Sequence, residues 1–183
     1  MIVSRRVARG LPGLLAGILL LLGACSSNEA KVSVLTCPQV YMVEDAMRYV
    51  EYAPGEGHDL IDERYDARMI NVEWLCTFLT DQNRVDMEVR FGMRANMGPA
   101  AKEAVGRFPY FVAVADPDGK IIAKQVFAID IAFPGNAIEI GHIESVFQKL
   151  TYASLARAAE YTVYIGFQLT PEQLARARAS RDL

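Results

Sequence analysis

The segment 68–94 is the part of the sequence that most restricts the fold. Between 68 and 78, Ile70, Val72, Trp74, Cys76 and Phe78 fall on one side while Asn71, Glu73 and Thr77 fall on the other. A period of two sustained over that length is the pattern of a half-buried strand. Thr80-Asp81-Gln82-Asn83 turns the chain, and Val85, Met87, Val89, Phe91 and Met93 then alternate with Arg84, Asp86, Glu88, Arg90 and Arg94. The two runs predict an antiparallel hairpin with one apolar face and one wet face. The apolar face requires a second layer to cover it.

The remaining segments supply that layer. Residues 39–44 read as a strand, and Pro54-Gly55-Glu56-Gly57 as a turn. Residues 97–107, with Pro99 near the start and Gly106 near the end, are expected to form one or two helical turns joining the sheets. Residues 110–115 and 120–131 flank Asp116-Pro117-Asp118-Gly119, where proline sets the first turn torsion and glycine accepts a positive φ. That is a second hairpin. Phe133-Pro134-Gly135-Asn136 breaks the chain before a further strand within 138–150, and Tyr161, Val163, Ile165 and Phe167 alternate in a last one. Thr170-Pro171-Glu172-Gln173 has the form of a capping box with proline at the first helical position, opening a helix over 171–180. Many strands without interleaved helices predict a mainly β chain, an antiparallel immunoglobulin-like β-sandwich with a short C-terminal helix. The segment from Leu155 to Val163 resembles the end of fibronectin type III and immunoglobulin-like domains, and that resemblance implies a tyrosine corner at Tyr161, its hydroxyl bonded back to the preceding loop.

The N-terminus carries a different message. Arg5, Arg6 and Arg9 precede an apolar run from 11 to 22, too short to span a bilayer, and Leu22-Gly23-Ala24-Cys25 closes it. This resembles the signal peptide and lipobox of bacterial lipoproteins. The resemblance implies cleavage after residue 24, lipid on Cys25, a tether over 25–36 and one sandwich domain over 37–183. It also implies a place in the bacterial cell envelope, anchored to a membrane. Ser26 and Ser27 lean towards the outer membrane, facing the periplasm. Two or three acyl chains make such an anchor stable where one is marginal.

Charge and cysteine usage narrow the partners. The formal net charge of −3 becomes about −6 once the three arginines of the signal are removed. That argues against nucleic acid as a partner. With Cys25 lipidated, Cys37 and Cys76 remain as an even pair in an oxidising compartment and are expected to form a disulfide.

No reaction is specified. His58, Asp59 and Asp62 lie close enough in sequence to be considered as metal ligands, but their spacing matches no defined loop. Asp116 and Asp118 begin like a calcium loop, and the turn accounts for both. His142 and Ser145, three apart on a strand, point to opposite faces, whereas His142 and Glu144 share one. The expectation is therefore a non-enzymatic module without a cofactor, binding or scaffolding an envelope protein, with a small-ligand or divalent-metal-binding protein as the alternative. Candidate contact residues are Phe133 at a loop tip and Arg176, Arg178 and Arg181 on the C-terminal helix.

Overall fold

The computed structural model describes residues 35–55 and 57–181, with side chains to residue 179. Cys25 and the Arg181 side chain therefore lie outside the described residues. The elements run β1 (Gln39–Met42), β2 (Arg48–Tyr52), β3 (Glu63–Leu79), β4 (Arg84–Met97), β5 (Val105–Ala115), β6 (Ile121–Ala132), β7 (Glu139–Thr151), β8 (Thr162–Phe167) and α1 (Pro171–Arg181). Four strands form one sheet in the order β1-β8-β5-β6, and four form the other in the order β2-β3-β4-β7. All pairs are antiparallel except β1 with β8. Among the described residues no helix is long and apolar enough to cross a membrane.

The predicted β-sandwich is present: one core cluster draws Tyr49, Tyr65, Met69, Phe91 and Met93 from one sheet and Phe108, Tyr110, Val112, Ile165 and Phe167 from the other. Rings bridge the layers, with Phe108 5.7 Å from Tyr49 and 6.1 Å from Tyr65, and Phe91 5.2 Å from Tyr110. The strand order is this chain's own. β7 and β8 lie on opposite sheets, whereas the last two strands of an immunoglobulin domain are neighbours in one sheet. The likeness is one of architecture.

The hairpin of β3 and β4 forms as its pattern predicts, with one correction. A bulge between Met69 and Asn71 shifts the register, so Met69 faces inward and Ile70 is turned out, 54% exposed. Beyond the bulge Val72, Trp74, Cys76 and Phe78 face the core. An extra residue in one strand reverses which parity points inward, and simple alternation cannot locate it.

Three other expectations change. Residues 97–107 do not form helical turns, because Gly106 and Phe108 continue the inward alternation of Tyr110 and Val112 and extend β5 upstream to Val105. Tyr161 buries its ring before β8, but its hydroxyl makes no hydrogen bond to the preceding loop among the described residues, so it is not a tyrosine corner. Residues 48–52, part of a dense apolar stretch, form a separate strand: after β1 a 3-10 turn at Glu44–Ala46 moves the chain to the other sheet. Gly166 permits that close crossing, since a Cβ there would stand 2.8 Å from the Ala46 Cβ.

Cys37 and Cys76 are bonded, with Cα atoms 5.8 Å apart. The bridge ties the segment leading into β1 to the last, turn-proximal part of β3, one anchor for each sheet.

Candidate functional site

The cleft of interest lies between α1 and the outer face of β2 and β3, and local sequence explains why α1 stands there. Thr170 and Gln173 form the predicted capping box: the Thr170 amide donates to Gln173 Oε1 at 2.9 Å and the Gln173 amide donates to Thr170 Oγ1 at 3.2 Å. Gln173 Nε2 also donates to the Val50 carbonyl at 2.9 Å, pinning the first turn to β2. Arg178 donates to Asp45 at 2.8 Å, pinning a later turn to the 3-10 segment. These polar contacts tie the helix across the cleft.

The cleft has a volume of about 640 Å³ and is lined by Met47, Arg48, Val50, Tyr52, Arg68 and Arg176, among others. That size suits a small ligand, for which pockets run roughly 300–1,000 Å³. Sheet register pairs two of its arginines and adds a third outside the cleft: Arg48 is the cross-strand partner of Arg68, and Arg68 that of Arg94. Like charges directly opposite one another destabilise a sheet, so such a row calls for compensation. Arg48 has it, donating to Asp66 at 2.7 Å with Glu63 at 3.9 Å, and the bond to Asp66 raises its pKa. Burial, together with the neighbouring Asp66 charge, raises the pKa of Glu63. Arg94 lies 3.6 Å from Glu139. Arg68, between them, has no ion pair among the described residues.

At the mouth of the cleft, Arg176 lies over the Tyr52 ring, 5.5 Å from its centre, and donates to Glu172 at 2.5 Å and to His58 Nε2 at 3.3 Å. The bond from Arg176 lowers the pKa of Glu172. Guanidinium groups hold and orient anions through a fixed fork of donors, and this arrangement is suited to binding.

A second polar group sits where β7 borders the interior. His142 Nε2 and Glu144 Oε2 are 3.0 Å apart, the same-face pair predicted from their spacing, and the Tyr110 hydroxyl donates to Glu144 Oε1 at 3.3 Å. Burial, then the Glu144 charge, pushes the Tyr110 pKa up. Ser145 is on the opposite, exposed side of β7.

The structure separates the proposed metal ligands. Asp59 and Asp62 cap a 3-10 turn, with the Asp59 amide donating to Asp62 Oδ2 at 3.1 Å. His58 turns instead to Tyr52, Arg176 and Glu172. Among the described residues no three His, Cys, Asp or Glu side chains converge as a metal would require. Asp116 serves its turn, accepting from the amides of Asp118 and Lys120.

The contact candidates divide likewise. Phe133 is a core residue, 1% exposed and stacked on Tyr65, so it is no surface contact. The proline and glycine after it mark a loop, but the phenylalanine itself faces in. Arg176 and Arg178 are engaged within the chain. Arg48 and Arg68 went unnoticed in the sequence because only sheet register makes them neighbours. Comparison with known protein families, with curated proteins and with solved structures found no match to this chain.

Proposed function

We propose that this chain is a lipid-anchored protein of the bacterial envelope whose β-sandwich acts as a non-catalytic protein-binding module, receiving an extended segment of another envelope protein along β7. The free edge of β7 carries this reading. It is thirteen residues long, pairs among the described residues with β4 on one side only, and turns Ile143 and Phe147 outward, 66% and 73% exposed. Leu75, 72% exposed, shares a cross-strand row with Glu88 and Phe147, and Gly92 lies opposite Ile143.

An added strand would satisfy the open amides and carbonyls of β7 and set its alternate side chains beside Ile143 and Phe147. A long edge left open is otherwise an invitation to aggregation. On the inner side, His142 and Glu144 put polar groups next to the same edge, so the incoming strand is expected to be apolar on its outer face only. The anchor is supported by the lipobox, which would hold the module within a short tether of the membrane.

Two measurements test the two halves. In cells, an alkyne-bearing fatty acid should label the parent protein and should not label Cys25→Ala. A parent protein that takes up no label argues against the lipid anchor. A photoreactive residue at position 147 should trap a discrete protein adduct that a probe at exposed Tyr41, on the other sheet, does not. An adduct of twice the chain's mass would identify the occupant as a second copy, and equal labelling from both faces would remove β7 as the docking edge.

A further inference from the structure

The row of arginines bordering the cleft has no role in strand addition at β7. β7 and the cleft lie at opposite edges of the sheet, with β3 and β4 between β7 and β2. Folding alone does not account for the row either: three arginines in register on adjacent strands repel one another, and among the described residues only the outer two have carboxylates. The middle one, Arg68, borders the cleft. Around it the lining is mixed: Met47 and Val50 on the sheet side and Ala177 on the helix side are apolar, while Glu44 and Asp45 bring carboxylates, the latter bonded to Arg178.

We propose that this cleft binds an amphipathic anion, its carboxylate or phosphate held by Arg68 and its apolar chain lying along Met47 and Val50 beneath α1. Arg48 is committed to Asp66 and contributes its charge to the field around Arg68. Arg176, stacked on Tyr52, borders the same cleft. The roof can yield to a chain of carbon atoms because polar contacts at Gln173 and Arg178 hold it, and exposed ion pairs such as Arg178 with Asp45 are individually weak. The same chemistry describes a free fatty acid or lysophospholipid and the headgroup region of an anionic membrane lipid.

The test uses the full chain in phosphatidylcholine nanodiscs and lauric acid carrying a diazirine near its tail, with adducts mapped by mass spectrometry. Saturable labelling is expected on the segment holding Met47 and Val50, displaced by laurate and not by its neutral methyl ester. Loss of a charged hydrogen-bond donor should reduce labelling about tenfold in R68Q. R94Q, in the same row but outside the cleft, should label like the parent. If phosphatidylglycerol in the disc displaces the probe, the natural anion is a membrane headgroup; if it does not, the ligand is a soluble amphiphile. Labelling that is unchanged in R68Q, equally displaced by the methyl ester or spread evenly along the chain would overturn the proposal.

Discussion

Phe108→Ala should lower the stability of the protein by about 3–5 kcal/mol, the range for removing a large aromatic side chain from a core that cannot collapse around the gap. Phe108 is fully buried and belongs to β5, yet its ring meets Tyr49 of β2 and Tyr65 of β3 edge-on. The substitution therefore removes apolar burial and two ring contacts between the layers. Relaxation is restricted from the other side too, because the ring already fills the space a Gly106 side chain would need, with Phe108 Cζ 2.8 Å from that Cβ position. Urea unfolding of parent and variant, both with the disulfide intact, measures the effect. A loss below about 1 kcal/mol would mean that the sheets close over the vacancy and that the rings do not set their separation.

The second large effect is expected from Cys37→Ser with Cys76→Ser. Joining residues 39 apart restricts the unfolded chain, and the chain-entropy model assigns about 4 kcal/mol to a loop of that size. Native disulfides in small secreted domains contribute about 2–5 kcal/mol when measured. The position adds a reason for the full effect. β1 has four residues, is paired among the described residues only with β8, and is followed at once by the crossing to the other sheet. Without the bridge, the segment before β1 loses its covalent tie to β3, and the end of the sandwich should be the first part to open. The double substitution avoids leaving one reactive thiol. Denaturant midpoints give the stability, and amide exchange gives the place; β1 should lose protection before β4 does. A double variant that unfolds with the parent would show that the unfolded chain is already restricted there by other means.

How far the sequence could be read differed from one element to the next for identifiable reasons. β4 was legible because its apolar residues alternate without interruption from Val85 to Met93, and all five are buried. The start of α1 was legible because a capping box is a local arrangement in which Thr170 and Gln173 satisfy each other's amides regardless of what surrounds them. β2 was missed because five residues directly after a crossover carry too short a pattern to be separated from β1. The helical turns expected before Tyr110 rested on Pro99 and Gly106 as end signals, and the inward run of Gly106, Phe108 and Tyr110 outweighed them. Pro134 and Gly135 mark a loop directly after Phe133, but a backbone turn does not decide which side chain plugs the core.

The candidate cleft was less legible than the fold. Its parts come from β2 and β3 and from α1 at the far end of the chain, and nothing in the local pattern of Arg48 or Arg68 distinguishes them from solvated arginines. The long strands, the pairing of Cys37 with Cys76, the capped helix and the resemblance of the first 25 residues to a lipoprotein signal could be read from the sequence alone, because each depends on spacing along the chain. Which strands lie next to one another, where the bulge at Ile70 falls, that Phe133 turns inward and that Arg68 stands in register between Arg48 and Arg94 were decided only by tertiary structure. Those features depend on register across sheets, where a shift of one residue exchanges the buried and exposed faces and a sequence period of two carries no label for its partner.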